Sequence, residues 1–372
     1  MSIVKQENHI WKNWFGGIDM HVTIWVSDKC NLHCKYCYEG ENKPGLIMNE
    51  QICKETLFFI RREMHMKKDD RLSITFHGGE PLLGFDCIKF FLREIKAFFP
   101  ECRFSMTTNL TILTDEMAEV LINEIDDLSI SIDGDCMAHD LNRIFANGCG
   151  TYGIVKANVM KTLPLKKNIR ARMTVVPETV GRLSLNVEHL ILLGFKIIEP
   201  ILDFTNQKWC EKYIELYNEE LKKVVDILET YQDVDVPILY SAACKNRNSP
   251  CDGGSASFNI ATDGSIYPCI LTVNQEEFII GHVNTEIDDV KVKWIQDLDK
   301  VKNEDCIGCQ RYHYCKSTRC KLVNYINTGN YNTPLPLMCM SENSAVKIAK
   351  YYLRKKEYRN EKIGIENNED KR

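Results

Sequence analysis

Two hydrophobic periods alternate along the first two hundred residues. Short β-branched runs read as strands: His21 to Val26 (HVTIWV), Leu72 to Phe76, Arg103 to Thr107, Leu128 to Ile132, Ile169 to Val175 and Lys196 to Ile201. Between them lie segments of helical period, among them Asn49 to Met64, Asp115 to Asn123 and Leu183 to Leu193. Six βα units around a parallel sheet are too few to close an eight-stranded barrel, so the pattern predicts an α/β fold with an open, partial barrel. Its active groups belong at the strands' C-terminal ends. After a further helix, Trp209 to Gln232, the character changes to short turns, glycines and eight cysteines between Cys244 and Cys339. The expected organisation is an N-terminal extension (1–20), the partial barrel (21–235), a cysteine-rich domain (236–343), and a last helix, Ala345 to Lys355, leading into a loose charged tail (344–372).

Composition narrows the classes. No apolar stretch approaches the roughly 20 residues that span a bilayer, and MSIVKQENHIWKNW lacks a signal peptide's apolar segment, so a cytoplasmic chain without a membrane partner is expected. A net charge of -5 argues against nucleic acid, and the basic run from Arg61 to Arg71 alternates with acids as a solvated face does. Seventeen cysteines in a reducing compartment need a use other than disulfides, and metal ligation is the commonest.

Cys30, Cys34 and Cys37, in CNLHCKYCYEG directly after the first strand, carry the most information. Three thiolates on a four-iron cube leave one iron without a protein ligand, and chemistry belongs at that vacancy. The loop resembles that of radical S-adenosylmethionine (SAM) enzymes. The resemblance implies SAM chelated at a [4Fe-4S] cluster and cleaved to a 5'-deoxyadenosyl radical, with Tyr36 beside the adenine. Gly78, Gly79, Glu80 and Pro81 after the second strand resemble the family's GGEP motif, whose backbone and carboxylate receive the SAM ammonium. Ser131 in SIDG and Arg143, twelve positions on, resemble its SAM-carboxylate pair, and Asn109 after the third strand is placed in the same pocket. A plain strand-to-helix turn with an acidic cap satisfies HGGEP equally well.

Downstream, Cys251, Cys269, Cys306, Cys309, Cys315, Cys320 and Cys339 resemble the SPASM domain and its two auxiliary [4Fe-4S] clusters. By that resemblance Cys251, Cys269 and Cys320, with Cys244 as fourth ligand, hold the first, and Cys306, Cys309, Cys315 and Cys339 hold the second. Four residues separate Cys315 from Cys320 where the family usually has three. Paired zinc ribbons fit the same thiolates. Cys53, Cys87, Cys102, Cys136, Cys149 and Cys210 are expected to be mostly small buried hydrophobes.

SPASM members of the family mostly modify peptides or proteins. Those that mature sulfatases carry an aspartate as base after the YPC cysteine, whereas here Tyr267, Pro268 and Cys269 precede Ile270, which has no group to accept a proton. The resemblance therefore favours a thioether or carbon-carbon crosslink in a ribosomally made peptide over formylglycine formation. A noncatalytic iron-sulfur electron carrier or scaffold is the reading of a different class. Partners implied are the peptide or protein substrate, a separate leader-recognition protein, and a flavodoxin or ferredoxin as reductant. His77, Asp133, Glu199 and Asp203 fall near strand ends as candidate bases.

Overall fold

The computed structural model describes residues 20–40, 45–67, 71–244 and 249–369, with 244 and 358–369 described by backbone alone. The expected N-terminal extension, 1–20, lies almost wholly outside the described residues.

All six expected strands form, each within about two residues of its expected ends: β1 (Met20–Ser27), β2 (Leu72–Gly78), β3 (Arg103–Thr108), β4 (Asp127–Ser131), β5 (Arg170–Val175) and β6 (Ile197–Leu202). They pair in parallel in the order β6-β5-β4-β3-β2-β1. Such pairing needs crossover helices. These include α1 (Glu50–Lys67), α2 (Phe85–Phe98), α3 (Asp115–Asn123), α4 (Cys136–Asp140), α5 (Tyr152–Thr162) and α6 (Leu183–Leu193). In α2, Phe85, Ile88, Phe91, Leu92 and Ile95 recur at helical spacing and are buried. Thr114 caps α3 by accepting from the Met117 amide.

Strand alternation divides the sheet into two unlike faces. Val22, Ile24, Val26, Ile74, Phe76, Phe104, Met106, Leu128, Ile130, Ala171, Met173 and Ile198 are all buried in the apolar core. The Phe76 and Phe104 rings stack there, 5.9 Å between centroids, and burying each such ring contributes about 2 to 3 kcal/mol. In register, the other face runs His21 and Trp25 on β1, His77 on β2, Ser105 on β3, Ser129 and Ser131 on β4, Arg170 and Arg172 on β5, and Glu199 on β6. That face is polar, and a sheet whose second face is polar leaves it to water or a ligand.

Three strands were not legible in the sequence. β7 (Ser257–Ile260) pairs in parallel with the outer side of β1, and β8 (Ser265–Tyr267) and β9 (Gly281–His282) continue antiparallel, giving nine strands in one sheet among the described residues. Strands of four, three and two residues are too short for a period to register.

The helix after β6, α7 (Glu211–Ile227), is shorter than expected. After α8 (Asp289–Leu298), α9 (Lys316–Arg319) and α10 (Lys321–Thr328), the last helix, α11 (Pro336–Glu369), extends past the expected Ala345 to Lys355 at both ends. The expected loose tail is helical as far as 369, because its run of Glu, Lys, Arg and Asn carries a single glycine and no proline. Along α11, Tyr352 stacks on Tyr240 at 6.0 Å and Lys355 pairs with Asp226 of α7 at 3.0 Å. No helix among the described residues is long and apolar enough to cross a membrane.

Candidate active site

Because β1 to β6 are parallel, their C-terminal ends share one edge, and the expected motifs gather there. The cysteine loop leaves β1 and turns at Cys34 and Cys37, where the Cys37 amide donates to the Cys34 carbonyl at 3.1 Å and the Gly40 amide to the Cys37 carbonyl at 3.1 Å. Its start is pinned by the turn after β2: the Gly79 amide donates to the Ser27 carbonyl at 3.0 Å and the Glu80 amide to the Lys29 carbonyl at 2.9 Å. Only glycine fits here. Gly78 has φ +130 with the Ser27 carbonyl against it, and a Cβ on Gly79 would sit 2.6 Å from the Lys29 oxygen.

Glu80 is 1 % exposed and is engaged within the protein. Its Oε1 accepts from the Thr108 hydroxyl at 2.7 Å and the Leu82 amide at 3.1 Å, and its Oε2 from the Asn109 amide at 2.7 Å. Burial raises its pKa against these three donors. The carboxylate thus caps the helical turn Pro81–Gly84 and ties β2 to β3. Asn109 belongs to the same tie: its Nδ2 donates to Asn31 Oδ1 at 3.0 Å and lies 3.9 Å from the Cys30 sulfur. A left-handed Leu110, φ 53, turns the chain just beyond it.

Arg143 grips Asp133 with two nitrogens, Nε and Nη2, each at 3.1 Å. Tyr36 donates its hydroxyl to Asp133 Oδ2, and the guanidinium lies 5.2 Å from the Tyr36 ring centre. The Thr174 amide completes the set at 2.9 Å. With two guanidinium nitrogens, a phenol and an amide donating to it, Asp133 is a positioning carboxylate, which removes it as a base. It aims Arg143 and leaves Nη1 outside the pair. Ser131, half-buried at the end of β4, stands in register with Arg172.

His139, unforeseen in the sequence, supports this pair from beneath. It is fully buried, its Nδ1 accepts from the Asp133 amide at 3.4 Å, and its Nε2 bonds the Thr151 hydroxyl at 2.9 Å. Burial pulls its pKa from 6.5 to about 4, against the raising effect of Asp133. The unfolded chain therefore takes up a proton below about 6.5 that the folded chain refuses until about 4. Stability is full above that window and is lost as pH falls through it. The expected loss from this residue is about 2 kcal/mol by pH 5. Urea midpoints at neutral and mildly acidic pH should converge in His139→Gln relative to wild type.

The other candidate bases separate on geometry. The Gly78 amide donates to His77 Nδ1 at 2.7 Å, so the neutral ring carries its hydrogen on Nε2 and donates to the Tyr38 oxygen at 3.3 Å. A ring so held is a donor and not a base. Asp203 Oδ1 accepts from the Thr205 amide at 3.0 Å and its hydroxyl at 2.6 Å, forming a turn after β6. Glu199 stays on the polar face, 3.5 Å from Arg172 and 3.7 Å from Arg170.

The donor set suits iron-sulfur ligation. Cys30, Cys34 and Cys37 are half-buried and in no disulfide, with the charge of Cys34 reaching Tyr36 and Arg143. In the C-terminal region burial raises Cys269 to about 11, with Cys320 and Cys251 adding to it. Burial also raises Cys306, followed by Cys315, Cys339 and Cys309. The charges of Cys320 and Cys251 reach Cys269, those of Cys315, Cys339 and Cys309 reach Cys306, and that of Cys315 also reaches Cys320, while the Cys244 side chain is outside the described residues. Among the described residues, no three His, Cys, Asp or Glu side chains are grouped as ligands of a single metal ion. Of the remaining cysteines, Cys53, Cys87 and Cys102 are buried as expected, but Cys136, Cys149 and Cys210 are exposed. Cys136 starts the short α4, Cys149 lies in a loop and Cys210 precedes α7, so no core covers them. Thr262 bonds the buried Asp28 at 2.6 Å, joining the region after β7 to the start of the cysteine loop.

Residues 25–148 match the Radical SAM superfamily. The chain is 26% identical over 343 residues to a cysteine-type anaerobic sulfatase-maturating enzyme of Clostridium novyi, covering 82% of this chain and 90% of that one. Among solved structures, native anSMEcpe with bound AdoMet and Cp18Cys peptide superposes with a TM-score of 0.72 at 21% identity, over 90% of this chain and 98% of that one. Streptococcus suis SuiB bound to precursor peptide SuiA gives 0.62 at 17% identity, over 90% and 79%. At these identities the superpositions establish a shared fold.

Proposed function

We propose, on the premise that residues 25–148 form the radical SAM domain of an enzyme, that this chain modifies a peptide by joining a cysteine sulfur or a carbon to a second carbon. The domain sets aside the noncatalytic carrier. SAM at a cluster held by Cys30, Cys34 and Cys37 would supply a 5'-deoxyadenosyl radical that removes one hydrogen atom from the substrate. The chain's own residues arrange the rest. The Gly78–Gly79 turn holds the cysteine loop by two backbone bonds, Tyr36 offers an aromatic face, and Arg143, aimed by Asp133, offers Nη1 to a carboxylate. Cys251, Cys269 and Cys320, and Cys306, Cys309, Cys315 and Cys339, would hold two auxiliary clusters, which would supply an acceptor for the second electron while the second hydrogen leaves as a proton.

The observation that carries the finer reading is Ile270. It follows Cys269 and packs half-buried against the core, so no carboxylate stands where formylglycine formation would need one. The likeness to a sulfatase-maturating enzyme over most of both chains supports that second reading. Mass spectrometry of a cysteine-containing peptide incubated anaerobically with enzyme, SAM and a strong reductant separates them. A crosslink removes two hydrogen atoms and leaves no aldehyde, whereas formylglycine reacts with a hydrazine. Aldehyde as the sole product would overturn the crosslinking reading.

A further inference from the structure

The polar face of the sheet has one stretch whose donors are not matched by acceptors. Trp25, 2 % exposed on β1, has a buried indole N–H with no hydrogen-bond partner. Its ring lies 4.9 Å from that of His77. His77 gives its Nε2 hydrogen to the Tyr38 oxygen, which leaves the Tyr38 hydroxyl hydrogen to point onward, and Tyr38 is 47 % exposed. Across the face stands Arg172, its side chain 41 % exposed.

The acids nearby do not satisfy that guanidinium. Arg172 makes one hydrogen bond, from Nη1 to Glu199 at 3.5 Å, the outer limit of such a bond. Glu199 is shared with Arg170 at 3.7 Å, and Arg170 in turn holds Asp127 at 3.2 Å. Two guanidiniums thus divide two carboxylates, and Arg172 is the less well served. Of its five N–H donors, four remain. His77 on β2 and Arg172 on β5 lie on the same polar face of the sheet, and Tyr38 reaches that face from the cysteine loop through its bond to His77, so their donors serve one face.

We propose that Arg172 and the hydrogen-bonded Tyr38–His77 pair form a binding site for a carboxylate of the peptide substrate, borne close to the residue that loses its hydrogen. Guanidinium and phenol donors are the combination that binds carboxylates by charge-assisted hydrogen bonds. The site selects peptides with an acidic side chain or chain terminus there, and it rests on the reading that a peptide meets this face.

The test uses the reconstituted full chain with SAM and a panel of short cysteine-containing peptides. Each carries one glutamate at a different distance from the cysteine and is paired with a glutamine twin. In anaerobic calorimetry at low salt, at least one glutamate peptide should bind about tenfold more tightly than its twin. Arg172→Gln should lose that preference and Arg172→Lys keep part of it, with SAM affinity unchanged in both. No pair that differs, or a preference that survives Arg172→Gln, overturns the proposal. Weakened SAM binding in Arg172→Gln also overturns it, since the guanidinium would then serve the SAM carboxylate. Failure of the catalytic reading shows separately, as absence of 5'-deoxyadenosine from wild type without peptide.

Discussion

Cys34→Ala is expected to bring 5'-deoxyadenosine formation down to background, a loss of roughly a thousandfold or more. The expectation rests on stoichiometry. A cube with one iron reserved for SAM needs all three thiolates of the loop; Asn109 approaches Cys30 with an amide nitrogen, and Cys34 acts electrostatically on Tyr36 and Arg143. The auxiliary clusters proposed above draw on other thiols, so the variant should retain iron and sulfide there. The measurement is anaerobic: reconstitute both proteins, add SAM and a strong reductant, and quantify 5'-deoxyadenosine by mass spectrometry with iron content alongside. Equal formation by wild type and variant would show that the loop is not the site of SAM cleavage.

Burial was legible in the sequence and partnership was not. The six long strands declared themselves because one face of each must be apolar to meet its helices, and β-branched runs such as HVTIWV have few other uses. The cysteine loop was legible because three thiols at such close spacing suit a metal cluster and little else. The polar face was harder. Arg170 and Arg172 alternate with Ala171 and Met173 along β5, and this period-two signal marks residues of a lumen, but a reading that looks for apolar runs passes over it.

Roles that depend on a distant partner lay further out of reach. Arg143 and Asp133 are both visible as charges, yet only the fold shows one aiming the other. Glu80 reads as a ligand-facing carboxylate, and only the approach of Thr108 and Asn109 from β3 turns it inward. His77 reads as a base, and the amide of the very next residue fixes its tautomer the other way. Tyr38 and Trp25 gave no sign, since an aromatic beside a cysteine or within a strand is ordinary until its neighbours are known.

Gly78→Ala should have the second large effect, and it acts without touching a cysteine. The added Cβ would overlap the Ser27 carbonyl oxygen and stand 2.9 Å from its carbon, at a residue whose φ of +130 already excludes side chains. Both colliding atoms are backbone, so relief requires moving the segment that leads into Cys30. That movement would break the Gly79 to Ser27 and Glu80 to Lys29 hydrogen bonds that pin the loop. The cost should be about 3 kcal/mol in folding stability, with the loop cluster lost while C-terminal iron remains. Gly40→Ala provides the control, because Gly40 has φ +69 but nothing within 4 Å of its would-be Cβ. It bears the left-handed strain alone, about 1 kcal/mol, and should keep its loop cluster. Iron content and urea midpoints of the two variants read side by side then separate collision from backbone strain. If Gly78→Ala retains a full loop cluster, the glycine pair is not what holds the cysteine loop to β2.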